Sequence, residues 1–221
     1  LCPDAWFLNY TNPLPRVCRA IRKYTDVKAI GFCHGIGSTA RVIGEILDRD
    51  PDELEIRVAG LNHFHWVFDL RDKGTGEDVY PLLRERAMDH EPDKRHLWAD
   101  LFRCFGYFPF PSDDHVGEYL PFMHVQKYES WQKYDHDHWL LHWDGEDTRR
   151  QSMWDQISSM IDGSQSTDSL RGGSGERAIH VLLAIRDNLG SSELALNIPN
   201  RGYIGNLPED AIVEVPATVN S

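Results

Sequence analysis

The sequence predicts an α/β fold: a short parallel sheet with crossover helices, then a helix-rich region that ends in two more strands. Three observations point there. Apolar runs and helical periodicities alternate as strand, helix, strand, helix, strand over about the first 60 residues, the pattern of parallel strands joined by crossovers. After Gly76 apolar residues recur at helical spacing in several successive segments. Near the end, apolar runs at 194–198 and 211–215 flank a turn-rich stretch at 199–210. A boundary is expected near residue 60, giving a lobe of residues 1–60 packed tightly on one of 61–221.

Each element has a local reason. Residues 5–10 are an apolar run stopped by Asn12-Pro13, a strand that ends in a turn. Val17, Ile21 and Tyr24 recur at helical spacing, so 16–24 reads as a helix. Residues 27–33 form a second strand, 34–38 a turn and 39–50 a helix. Leu54, Ile56 and Val58 alternate as a half-buried strand over 54–61, and 66–70 is another after the polar Asn62-His63-Phe64-His65. Residues 79–90, 96–106, 116–134, 148–161 and 176–189 read as helices. The Gly/Ser-rich segment 162–175 is expected to be a mobile loop.

Composition excludes several classes. Asp plus Glu is 35 against 23 Lys plus Arg, a formal charge of −12, which disfavours bulk attraction to nucleic acid or anionic lipid. No apolar run approaches the length of a membrane-spanning helix. With 41% hydrophobic and 11% aromatic residues, global disorder is ruled out. The four cysteines (Cys2, Cys18, Cys33 and Cys104) contain no CxxC pair, so free thiols in a reducing cytoplasm are expected. Cys2, Cys18 and Cys104 read as small buried apolar residues. The chain begins on Leu1 with neither Met nor a signal-peptide core, as expected of a processed start or a piece of a longer protein.

Three strand ends carry unusual polar groups: Asn9-Tyr10-Thr11-Asn12-Pro13, Cys33-His34, and Asn62-His63-Phe64-His65-Trp66. Ligands of parallel sheets bind outside such ends. Singly, each has a plainer explanation: turn chemistry for Asn12, a core thiol for Cys33, a backbone-bonded ring for His63. Together they suggest a shared crevice in which Cys33 and His63 meet. Thiolate and imidazole suit a transition metal, and two protein donors leave positions open for substrate oxygens. Gly35-Ile36-Gly37-Ser38-Thr39-Ala40 fits G-x-G-x-x-A, with Glu55 about 20 residues on, a weak dinucleotide signal. The acids of 111–122 fit an N-capped helix or a loop that delivers a base. His124, His136, His138 and His142 do not converge on one helix face. Trp131, Trp139, Trp143 and Trp154 suit core positions or sugar-facing edges.

The ordered set of motifs resembles glycoside hydrolase family 4, the NAD- and metal-dependent glycosidases. The resembling pieces are residues 9–13, 31–35, 60–66, 115–121, 200–208 and Val213-Glu214-Val215-Pro216. The resemblance implies the C-terminal part of a Rossmann-like parallel sheet, followed by an α+β lactate/malate dehydrogenase-like domain. It implies Cys33 and His63 as ligands of a divalent metal, usually Mn2+. It implies Asn12 and Asn62 on the substrate and Asn9 on the NAD cofactor. His34 in place of Asp resembles the α-galactosidase, α-glucosidase and α-galacturonidase subgroup, with His34 as the acid for the departing aglycone. Tyr119 matches the base for the sugar C2 proton, with Glu118 as the alternative. In such enzymes NAD oxidises sugar C3, the acidified C2 proton is removed, the C1 substituent leaves, water adds and the hydride returns.

The same resemblance places the phosphate-cradling glycine loop before Asn9, so most of the NAD site is expected outside these residues. The chain is expected to be an internal fragment, cut before Leu1 and after Ser221, and inactive by itself. The expected partner is a small carbohydrate, with no nucleic acid and no membrane, and the intact protein is expected to be a homodimer or homotetramer. Two readings compete: a malate- or lactate-like 2-hydroxyacid dehydrogenase, and a non-catalytic domain.

Overall fold

The structure, a computed structural model, describes residues 2, 4–90, 96–124, 134, 143–170 and 176–221. They fall into two compact units, Leu1–Tyr119 with Glu176–Ser221, and Leu120–Gly175. Neither unit ends near residue 60.

The first unit is built on a seven-stranded sheet of order β1-β2-β6-β7-β3-β4-β5. Its strands are β1 (Trp6–Asn9), β2 (Lys28–Gly31), β3 (Leu54–Leu61), β4 (Phe64–Asp72), β5 (Phe108–Pro109), β6 (Ser191–Pro199) and β7 (Ile212–Val219). Only β1 and β2 pair in parallel; every other neighbour is antiparallel. The α/β class holds, but the parallel pairing expected of the 54–61 strand is corrected to antiparallel. Asn62 and His63 form a two-residue hairpin loop between paired Leu61 and Phe64, with His63 at φ 61°, as tight hairpins require positive φ. That loop returns β4 beside β3 without a crossover. It also starts β4 at Phe64, two residues before the expected strand, so His65 is a strand residue. The two-residue β5 was too short to show in the sequence.

The helices of this unit are α1 (Leu14–Tyr24), α2 (Gly35–Leu47), α3 (Tyr80–Arg86), α4 (Leu97–Phe105), α5 (Asp113–Gly117) and, after the second unit's α6 (Trp143–Ile161), α7 (Ala178–Asp187). Pro13 precedes α1, which buries Leu14 and Cys18 against Ile212. α2, α3 and α4 bury Ile43, Leu47, Leu83 and Phe102 on Val58, Val67 and Leu70 of β3 and β4. α7 packs Val181 and Ala184 on Ile30 and Leu196. Full burial of such side chains contributes about 1.5–3 kcal/mol each.

The Tyr80 hydroxyl donates to the Val67 carbonyl at 2.6 Å and accepts the Phe108 N–H at 2.8 Å, joining β4 to β5. Burial pushes this phenol up to about 12. The folded state then holds the proton more tightly than the unfolded chain, whose phenol titrates near 10. Its contribution is full below pH 10 and is lost as the pH rises toward 12. Thermal melts of wild type and Tyr80→Phe across that window should show the wild type losing stability more steeply; parallel curves would contradict this.

In the second unit, Pro121–His124 is a 3-10 turn, α6 is exposed along residues 148–158, and Asp168–Leu170 is a second 3-10 turn. The single helix expected over 116–134 is thus already interrupted at α5 and the Pro121 turn. Trp154 is exposed, not core. Trp131, Trp139, His136, His138, His142 and the end of the 162–175 segment lie outside the described residues, as do the side chains of His124 and Trp143.

Candidate active site

The site rests on one row of residues running across six strands. Register pairs Asn9 with Gly31, Gly31 with Asn197, Asn197 with Glu214, Glu214 with Gly60, and Gly60 with His65. Polar side chains and glycines share the row, at the carboxyl ends of β1 and β2. The glycines leave room for close approach. A Cβ on Gly60 would lie 2.5 Å from His65 Cα, and one on Gly31 would meet Leu14 and lie 2.9 Å from Asn197 Cβ.

The polar members are almost wholly buried: His65 0%, Glu214 1%, Asn197 1%. His65 Nδ1 lies 2.8 Å from Glu214 Oε2, and its Nε2 lies 2.9 Å from Thr39 Oγ1. Asn197 Nδ2 donates to Glu214 Oε1 at 3.2 Å. Thr39 also sits 3.2 Å from the Gly35 carbonyl. Its single proton serves either that carbonyl or His65 Nε2. This network ties the first turn of α2 to β4, β6 and β7.

Cys33 and His63 come from strands three places apart, and α2 brings their surroundings together by crossing from β2 to β4. A Cβ on Gly35 would lie 3.3 Å from Cys33 Sγ and 3.1 Å from the Phe110 ring. The His63 ring stacks on that same Phe110 at 5.8 Å and on His115 at 4.1 Å. Gly35 N–H donates to Cys33 Sγ at 3.3 Å.

Burial pushes the Cys33 thiol up, helped by the Glu214 and Glu176 charges and opposed by the Gly35 N–H and the Asn62 side chain. Burial and neighbouring His115 lower His63, against the pull of Glu214 and Glu118. Tyr119 donates to the Asn62 carbonyl at 2.6 Å and stacks on Phe64 at 4.9 Å. Its phenol is raised by burial, then by Glu118 and Glu214, with Arg16 opposing. Asn62 Nδ2 is buried without a hydrogen-bond partner, although its amide bears on the Cys33 thiol.

Cys33, Asn62 and Tyr119 are therefore neighbours, and His63 follows Asn62 in the hairpin loop with its ring on Phe110 and His115. His34, the residue before α2, is exposed, with Nδ1 3.6 Å from Glu176 Oε1. Glu118 turns toward His115, 3.3 Å away. Asn12 is exposed, and its Oδ1 accepts the Leu14 N–H at 3.2 Å, serving the turn. Asn9 is buried, with both amide ends taken up by the Thr11 backbone. Of the thiols read as buried, Cys18 is; Cys2 and Cys104 are exposed, one ahead of β1 and one on the outer side of α4. Thr39, His65, Asn197 and Glu214 had been given no role. The available signal was a lone Glu in the apolar run Ile212-Val213-Glu214-Val215.

Two sequence profiles match the chain: family 4 glycosyl hydrolase over residues 1–49, and the family 4 glycosyl hydrolase C-terminal domain over residues 58–221. The chain belongs to glycosyl hydrolase family 4. An α-glucosidase of Erwinia rhapontici is 29% identical over 100% of this family 4 chain and 53% of its own length. A Bacillus subtilis α-galactosidase is 31% identical over 97% of this chain and 49% of its own. The chain thus spans about half the length of the curated relatives it matches. Among solved structures, a Bacillus subtilis protein assigned as a glucosidase superposes with TM-score 0.79 at 25% identity, over 99% of this chain and 54% of that one. A 6-phospho-α-glucosidase from gut microorganisms, solved with NAD and Mn2+, gives 0.70 at 23% identity, over 98% and 51%.

The donors of this family 4 chain fit a transition metal. Cys33 and His63 offer sulfur and nitrogen, and the lowered His63 is in the neutral form a metal needs. Among the described residues no group of three or more His, Cys, Asp or Glu converges, so substrate or water oxygens would complete the coordination. In the Gly35–Ala40 stretch, Phe110 and Cys33 Sγ crowd the first glycine, whose N–H is spent on that sulfur. Because the Cys33 thiol is raised, a metal must displace its proton. A divalent cation held by Cys33 at neutral pH would release about one proton per ion, read by calorimetry in buffers of different ionisation enthalpy. Zero release would remove Cys33 from the coordination.

Proposed function

We propose that the intact protein hydrolyses the O-glycosidic bond of small α-glycosides, such as α-galactosides, α-glucosides or α-galacturonides, with NAD and a divalent cation. The observation that carries this reading is the grouping of Cys33, Asn62 and Tyr119, with His63 next to Asn62 in the hairpin loop, at the strand ends of a family 4 chain. Bound NAD would supply a hydride acceptor for sugar C3, and the cation would supply Lewis acidity at the sugar oxygens.

The chain's own residues handle protons. Cys33 and His63 hold the cation, and Asn62 Nδ2, the partnerless donor beside Cys33, meets a sugar oxygen. Asn12 offers its exposed amide to the substrate, and Asn9 shapes the turn beside the cofactor. Tyr119 takes the C2 proton. Its position against Asn62 favours it over Glu118, whose carboxylate faces His115. The raised phenol has to be brought down by the nearby cation, so its basicity depends on metal loading. His34 gives its proton to the departing oxygen.

The division at residue 60 is kept as a functional one, supported by the change of profile between residues 49 and 58. Four free thiols support a cytoplasmic setting, and no helix among the described residues is long and apolar enough to cross a membrane. Assembly as a homodimer or homotetramer is part of the proposal and is read by light scattering.

Turnover in deuterium oxide is expected to place deuterium at C2 of the product sugar. Product without that label would overturn the mechanism. Oxidation of malate or lactate at comparable rates would favour the dehydrogenase reading instead.

A further inference from the structure

We propose that Glu176 is the positioning residue for His34, holding its ring so that Nε2 faces the leaving group of the glycoside. This rests on the glycosidase reading above. Among the described residues, Glu176 is the carboxylate within ion-pair distance of His34, with Oε1 3.6 Å from Nδ1. A carboxylate on Nδ1 orients an imidazole and leaves Nε2 as the working nitrogen. The 3.6 Å separation is longer than a hydrogen bond, as is common before substrate closes a site.

The backbone on the C-terminal side of Glu176 is held in place. Tyr10, just past β1, accepts the Ala178 N–H on its phenol oxygen at 2.9 Å, two residues beyond Glu176, and burial, with the Glu176 charge adding to it, raises that phenol. The Tyr10 ring stacks on Phe32 at 5.2 Å. Next in the chain, Arg177 makes two hydrogen bonds of 2.8 Å to the buried Glu193 of β6, which fixes the backbone at the start of α7. Residues far apart in sequence thus build one bracket from the first strand end to the second, and its charge also reaches Cys33.

In the step it serves, the C1–O bond breaks and its electron pair leaves with the oxygen. That oxygen takes the Nε2 proton of His34. The water that later adds at C1 returns a proton to the ring, so the residue ends as it began.

The test uses leaving groups of different quality. A 4-nitrophenyl α-glycoside departs with little acid assistance, whereas a disaccharide needs it. In the intact protein with NAD and Mn2+, Glu176→Gln is expected to lower kcat for the disaccharide about tenfold, part of the about 100-fold or more that general acids contribute. The 4-nitrophenyl substrate should change by less than about twofold, with KM steady for both. Tyr10→Phe should show the same contrast more weakly, and Glu176→Asp should recover part of the loss. Equal losses on the two substrates, or no loss on either, would overturn the assignment while leaving the glycosidase reading intact. No turnover of any α-glycoside by the unaltered protein would overturn both.

Discussion

Cys33→Ser and His63→Ala are each expected to abolish tight Mn2+ binding, lowering affinity by more than about 100-fold. Outer partners of metal ligands already carry about 10–100-fold, and here only two protein donors are proposed, so losing one removes half of the set. Calorimetry reads the affinity. Co2+, taken as a coloured stand-in, reads the donor: a sulfur-to-metal absorption band should be present in the wild type and absent from Cys33→Ser. His63 sits at φ 61°, where Ala is strained and Asn is tolerated. His63→Asn therefore separates lost coordination from a distorted hairpin and should bind as poorly as His63→Ala. Unchanged Mn2+ affinity in both the Cys33 and His63 variants would remove the pair from the metal assignment.

Much of this arrangement was legible in the sequence, because strand periodicity and strand-end polarity are local. The apolar runs placed β1, β2, β3, β6 and β7, and the three polar strand ends contain Cys33, His34, Asn62 and His63. The direction of β3 was not legible. Parallel and antiparallel strands read alike when the deciding contact, Gly60 with Glu214, spans 154 residues of chain. The buried row was hidden for the same reason. Asn197, Glu214 and His65 lie in three different strands, and only register makes them neighbours. Asn9 shows the opposite limit: its motif pointed to a ligand, while its amide closes the turn to Thr11.

That buried row carries the second large expectation, which concerns stability. Glu214→Ala leaves His65 Nδ1 and Asn197 Nδ2 buried without the carboxylate they share. Asn197 already has an unpartnered Oδ1, so nothing nearby compensates. Removing one partner of a buried pair typically costs about 3–5 kcal/mol, which lowers Tm by roughly 10 °C in a chain of this size. Glu214→Gln keeps an oxygen that can accept from His65 or Asn197 and should cost only about 1–2 kcal/mol. The Gln variant also tests how far the buried charge reaches. Glu214 raises Cys33 and Tyr119, so neutralising it should bring the Cys33 thiol down. Alkylation of Cys33, followed in a background with the exposed Cys2 and Cys104 changed to Ser, should then be faster in Glu214→Gln than in its parent at pH 8. Equal melting of the Ala and Gln variants would mean that the carboxylate's hydrogen bonds do not hold the row together. Unchanged alkylation would mean that its charge does not reach the thiol.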